Sequence, residues 1–166
     1  RALGQNEDIQ LGYYHNTERA TERSTAYLPP FFPTVPLDYD RTSSRDNLDF
    51  QHLFSPTAAT RVVWGLELRR DVLRSQRVFY GINEVSQQLA RGFGNLEWRV
   101  AGSVTVNAGA MVEHYSGKST KTAPRLYVNW EALAGHTLRI GQSVAYRRAS
   151  MTEERTDTRF YSNGYS

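Results

Sequence analysis

Residues 103–154 alternate polar and apolar side chains with one unbroken parity, and this pattern organises the rest of the chain. Over 104–115 the even positions read Val104, Val106, Ala108, Ala110 and Val112, and the odd ones Thr105, Asn107, Gly109, Met111 and Glu113. A repeat of two puts successive side chains on opposite faces of a strand, here one apolar and one polar. The next segment sets Leu126, Val128 and Trp130 against Arg125, Tyr127, Asn129 and Glu131. A third, beyond Ala134-Gly135-His136, sets Leu138, Ile140, Val144 and Tyr146 against Arg139, Gly141, Ser143 and Arg147. Three such segments in succession predict an antiparallel sheet.

The same period runs upstream. In residues 8–15, Ile9, Leu11 and Tyr13 oppose Gln10, Gly12 and Tyr14, and in 46–54, Leu48, Phe50 and Phe54 oppose Asp49, Gln51 and Leu53. Past a short turn at 55–59, Val62, Trp64, Leu66 and Leu68 alternate with Arg61, Val63, Gly65, Glu67 and Arg69. Residues 91–101 resume with Leu96, Trp98 and Val100 against Asn95, Glu97 and Arg99. Residues 16–41 and 71–90 are expected to be long connections. The first holds Pro29, Pro30, Pro33 and Pro36, which exclude a central strand. Nothing in the chain reads as a helix.

Two sheet proteins fit this pattern. In a soluble sandwich the charged parity faces water and a second layer covers the apolar one. In a transmembrane barrel the apolar parity faces lipid. Three features favour the barrel. Short and long connections alternate, Trp64, Trp98 and Trp130 share the apolar parity, and the strands reach roughly the 9–11 residues that span a bilayer. The fold class predicted is all-β, an antiparallel transmembrane β-barrel meander of about 7–8 strands. The alternative, a soluble all-β ligand-binding module, stays open.

Composition narrows this reading. A mean hydropathy of -0.59 with 39% hydrophobic residues excludes a helical membrane protein, since no run approaches the ~18 apolar residues a spanning helix needs. The net charge of +3 comes from scattered arginines with Lys118 and Lys121, so nucleic acid is not an expected partner. Cysteine is absent, which removes thiolate metal sites. The chain opens Arg1-Ala2-Leu3-Gly4, without an initiator Met or an apolar leader, which predicts a start inside a longer protein.

Catalytic chemistry is not legible. His15, His52, His114 and His136 lie in separate segments with no metal-ligand spacing. Gly92-Phe93-Gly94-Asn95-Leu96-Glu97 lacks the last glycine of a dinucleotide fingerprint and leads into a strand. The Glu and Arg residues of the polar parity read as ion pairs of a barrel wall rather than as acid and base. The chain is therefore not expected to be an enzyme, and no catalytic residue, metal or cofactor is assigned.

Ala123-Pro124-Arg125-Leu126, then Leu138-Arg139, then Tyr146-Arg147-Arg148-Ala149-Ser150 with Glu153-Glu154, resembles the barrel domain of TonB-dependent outer-membrane receptors. That family carries an "SPRL" strand, a short turn, an "LR..Y..AYRAPS" strand and a nearby Glu. Ala123 replaces the usual Ser, and Arg148 and Ala149 stand where Ala-Pro is expected. Asn107 to Glu113 is similar to the family's "G.R.E" strand, with Met111 where Arg is common, and 53–68 and 93–98 are similar to upstream strands. The resemblance covers about residues 46–154.

It implies a barrel of about 22 strands around an N-terminal plug, importing siderophores, cobalamin, haem or glycans with energy from the TonB complex. Residues 1–166 would then be a single partial β-barrel domain, about 7–8 strands of a larger barrel, without the plug, in the outer membrane of a Gram-negative bacterium. Its partners would be outer-membrane lipid, a small-molecule ligand such as a siderophore-iron chelate, and the TonB complex through other parts of the parent protein. Long-loop aromatics and arginines are the candidate ligand contacts: Tyr27, Phe31, Phe32, Arg74, Arg77, Phe79 and Tyr80. Such rings offer rigid apolar platforms and guanidinium groups grip anionic chelates. The same aromatics could instead only pack their own loops. Residues 16–41, 71–90, 116–121 and the tail after 150 are expected at one end, outside the cell, with the turns at 55–59, 101–103 and 133–136 at the other.

Overall fold

Tight turns join the strongest strands, and they set the sheet's registers. A computed structural model describes residues 2–4, 7–28, 32–76, 78–79 and 81–158. In chain order the strands are β1 (Ala2–Gly4), β2 (Glu7–Ala20), β3 (Arg23–Leu28), β4 (Phe32–Asp38), β5 (Arg41–Thr57), β6 (Thr60–Arg74), β7 (Glu84–Ala101), β8 (Val104–Tyr115), β9 (Lys121–Leu133) and β10 (His136–Ser143). Eight of them form one sheet in the order β1-β2-β5-β6-β7-β8-β9-β10, and β3 pairs with β4 in a separate hairpin. The strand count of the main sheet agrees with the seven to eight expected.

The parity read from the sequence carries across strands because each register keeps like faces together. Trp98 pairs with Val106, Val106 with Val128, and Val128 with Ile140, an apolar row four strands wide. One residue further, Glu97, Asn107, Tyr127 and Gly141 make the matching polar row. A slip of one residue in any pair would mix the two sets. Gly135 closes the β9–β10 turn with φ 77, a left-handed conformation that a side chain disfavours.

By contacts the chain divides into two compact units. The first is Arg1–Tyr14, Asn47–Arg69 and Gln88–Arg147, and the second is His15–Asp46, Arg70–Gln87 and Arg148–Ser166. In the first unit the Phe93 ring lies where a Cβ on Gly65 would stand, 2.6 Å from that point, so glycine is required there for β6 and β7 to carry this contact.

The second unit gathers three of the four segments expected to lie together. Its core is Leu73, Val78, Phe79 and Val85, with Tyr39 and Met151 packed against it. The Ser75 hydroxyl donates to the Asp40 carbonyl at 2.7 Å, and Asp157 N–H donates to the Val78 carbonyl at 3.1 Å. The three segments therefore fold on one another through backbone groups as well as side chains.

Three expectations for these segments are corrected. Residues 71–90 are mostly strand: β6 runs on to Arg74 and β7 begins at Glu84, leaving only 75–83 as a connection. Ladder hydrogen bonds use backbone groups, so a strand continues past the point where its side chains stop alternating. Residues 16–41 hold the β3–β4 hairpin, with Pro36 opposite Thr25 in a two-stranded sheet where each strand has a free edge to accept proline. A five-residue helix, α1 (Met151–Arg155), is also present. Its capping box has the Ser150 hydroxyl accepting from Glu153 N–H at 3.2 Å and Glu153 accepting from Ser150 N–H at 2.6 Å. In addition β10 stops at Ser143, short of Tyr146, although Val144 N–H still bonds the Pro124 carbonyl at 3.0 Å.

Candidate functional site

Burial in the first unit is inverted relative to a water-soluble sheet. On the apolar parity Trp64 is 38% exposed, Leu66 53% and Ile140 77%, with Leu68, Leu96, Trp98, Leu126, Trp130 and Leu138 exposed as well. On the polar parity Glu113 is only 8% exposed. No second layer of described residues covers the apolar face, and exposed apolar rows of this kind suit a sheet that faces lipid.

The sheltered charges are paired. Arg91 on β7 donates to Glu113 on β8 at 2.7 Å and to Glu67 on β6 at 2.6 Å, so one guanidinium joins three strands. Arg69 stands 3.7 Å from Glu67 and donates to the Tyr115 hydroxyl at 3.3 Å. A guanidinium holding two carboxylates at once stiffens the wall. With both acids already engaged by arginine, the set is poorly suited to proton transfer.

Nearer the tight turns, the same face opens a hollow of about 280 Å³ lined by Asn95, Asn107, Arg125, Tyr127, Asn129 and Arg139. Arg125 extends across Gly109 and donates to the Asn95 side-chain oxygen Oδ1 at 3.0 Å. Arg139 stacks 4.3 Å from the Tyr127 ring centroid, and that ring occupies the space a side chain on Gly141 would fill. The sequence places Arg125 and Arg139 on the polar parity, but only the registers of β7 to β10 bring their partners beside them.

The apolar face carries a hydrogen-bonded polar group beside Trp64. The Trp64 indole N–H donates to His52 Nδ1 at 3.1 Å, which leaves the proton on Nε2 to donate to Glu7 at 2.7 Å. His52 also stacks on Phe54 at 4.8 Å. A Trp with its N–H satisfied beside a polar pair is the arrangement found where a barrel surface leaves hydrocarbon for headgroups.

The residues expected to meet ligand fare differently. Tyr27, on β3, is 70% exposed. Arg74, at the end of β6, is exposed and donates to Glu84 at 2.7 Å. Phe79 is corrected: at 2% exposure it is a core residue of the second unit, because Leu73, Val78 and Val85 close around it. Phe32 opens β4 opposite Leu28. Phe31, Arg77 and Tyr80 lie outside the described residues.

An antiparallel sheet that exposes its apolar parity, shelters a paired charged one and joins its strands by alternating short and long connections is the wall of a transmembrane β-barrel. The chain belongs to the TonB-dependent receptor β-barrel family: the family described as "TonB dependent receptor-like, beta-barrel" matches residues 2–165. The proteins of this family are transporters rather than enzymes. Comparison with curated proteins returned no match.

Proposed function

We propose that this chain is a single partial barrel domain in the wall of an outer-membrane receptor that imports a scarce solute, such as a siderophore-iron chelate, into a Gram-negative bacterium. The observation that carries the reading is the inverted burial, with Trp64, Leu66 and Ile140 outward and Glu113 sheltered. Energy for import comes from the TonB complex, engaged through parts of the parent protein outside these 166 residues. The family match over residues 2–165 supports the single domain and the transport role. Tyr27 and Arg74, with Phe31, Phe32, Arg77 and Tyr80, make first contact with the ligand. The exposed ring of Tyr27 and the exposed guanidinium of Arg74 support that assignment.

The test places arginine on each face in turn. Val128 pairs with Val106 and Ile140 in the apolar row. In the parent receptor, Val128→Arg costs about 2–4 kcal/mol if residue 128 faces the bilayer midplane. Asn129→Arg, one residue along and on the opposite face, costs far less. Equal insertion and stability of Val128→Arg and the parent, measured by refolding into lipid vesicles, would show the faces to be misassigned. For the ligand, uptake unchanged after Tyr27, Phe31, Phe32 and Tyr80 are all replaced by Ala would remove those rings from the site.

A further inference from the structure

The pair formed by His52 and Glu7 on the apolar face is one positive charge short of balance. We propose that Glu7 anchors a lipid site, taking the primary ammonium of a phosphoethanolamine headgroup while the acyl chains follow the apolar side chains of β2, β5 and β6. The site rests on the proposed reading only in that the apolar face meets lipid.

Placement along the strands puts the pair at one rim of that face. Glu7 opens β2 opposite Gly4, and the chain reverses between β5 and β6 after Thr57. His52 and Trp64 lie on either side of that reversal, in the parts of β5 and β6 nearest to it. Glu7 accepts from His52 at 2.7 Å, so the carboxylate shares this end of the sheet. A carboxylate facing lipid costs least at such a rim, where headgroups replace hydrocarbon. Farther from the reversal, on the same parity, Leu11, Leu48, Leu66 and Leu68 are all exposed. A lipid with its headgroup at Glu7 would lay its chains over these leucines.

Electrostatics supply the reason for a cation. His52 Nδ1 accepts the Trp64 indole N–H, so the imidazole carries its single proton on Nε2 and donates it to Glu7 without bringing a charge. Among the described residues Glu7 meets no arginine or lysine, whereas Glu67 and Glu113 on the opposite face both meet Arg91. The Glu7 side chain is 44% exposed against 18% for His52, so its second oxygen is within reach of a headgroup. An ionised group at a lipid face is stable when paired, and here the partner must come from outside the described residues.

Headgroup type follows from the donors a carboxylate needs. A primary ammonium offers three N–H groups, one of which can bond Glu7 directly, while a quaternary ammonium offers none. Phe54 stacks on His52 at 4.8 Å and Phe50 lies 5.2 Å from Trp64, so three rings border the pair. Aromatic surface of this kind favours a cation and its methylene groups beside it.

The experiment strips the parent receptor of lipid in detergent micelles and adds dioleoyl phosphatidylethanolamine, its N-methyl and N,N-dimethyl derivatives, or the corresponding choline lipid. Retained lipid is measured by native mass spectrometry. The ethanolamine lipid is expected to bind about tenfold tighter than the choline lipid, the gain that one charge-assisted hydrogen bond gives, with the methylated headgroups falling between. Glu7→Gln should lower the ethanolamine lipid to the choline level. His52→Lys, which places an ammonium beside Glu7 from within the chain, should abolish the preference as well. Glu131→Gln, on the polar parity, should leave it intact. Equal retention of ethanolamine and choline lipids overturns the proposal, as does retention of neither. A preference that survives both Glu7→Gln and His52→Lys also overturns it, because the selective site would then lie elsewhere. The headgroup series needs no variant, and two unrelated substitutions at the pair guard against a folding defect in either. None of these failures alters the Val128→Arg comparison.

Discussion

Replacing Arg91 by Met tests the sheltered face most directly. Arg91 holds Glu67 at 2.6 Å and Glu113 at 2.7 Å, and the side chains of these three residues are 28%, 16% and 11% exposed respectively. Met keeps most of the stem volume and removes both donors, so the effect is the loss of charge pairing. A charge-assisted bond contributes about 1.5–3 kcal/mol, and stripping one partner from a fully buried pair costs about 3–5 kcal/mol. Arg91 retains some solvent, which puts the expected loss near the lower end, about 3 kcal/mol. The triple variant Arg91→Met, Glu67→Gln, Glu113→Gln removes the carboxylates stranded by the loss of Arg91 but also takes Glu67 from Arg69, so it should recover part of that loss rather than all of it. The assay is urea unfolding of the parent receptor refolded into lipid vesicles, followed by tryptophan fluorescence at mildly alkaline pH so that the carboxylates stay ionised. Two results refute the reasoning: a single variant that unfolds at the parent's urea concentration, or a triple variant no more stable than the single.

Three further outcomes follow from the same geometry. Gly109→Val puts a Cβ 2.7 Å from the Gly94 carbonyl oxygen and 3.2 Å from Arg125 Nε, so it should destabilise the barrel by about 1–3 kcal/mol, read from the same urea curves. Arg23 donates to Asp40 at 2.8 Å, and chiefly this bond holds the Asp40 carboxyl below its ordinary 3.8. The contribution is therefore fully present above that value and fades as pH falls through the lowered one. Pepsin nicking of the β3–β4 hairpin, normalised to an unfolded peptide, should rise only on strong acidification in the parent, whereas in Asp40→Asn it should be raised throughout, without that onset. In intact cells, a cysteine at Ser119 should react with an impermeant maleimide and one at Thr57 should not; the reverse pattern would invert the topology.

The alternation of side chains is a local, covalent property of the strand, so both faces of β6 to β10 were legible in the sequence, from Trp64 opposite Glu67 to Ile140 opposite Arg139. The tight turns were legible for the same reason, because Gly102-Ser103 and Ala134-Gly135 interrupt the period at the points where the chain reverses. The helix had a readable start in Ser150-Met151-Thr152-Glu153, but at five residues it is too short to show a helical period.

Other features required long-range contacts. Phe79 and the exposed Tyr27 look alike in sequence, and only the closing of Leu73, Val78 and Val85 around Phe79 separates a core ring from a surface one. The outer ends of β6 and β7 persist through Asp71 to Arg74 and from Glu84 onward because backbone groups pair whatever side chains they carry. The registers of five strands decided which arginines are neutralised. Arg91 falls between Glu67 and Glu113, whereas Arg125 and Arg139 fall beside an amide and a ring. Sequence parity set the face each charge occupies. Its neighbours on that face come from residues 12 to 30 positions away, and they are fixed only when the strands pair.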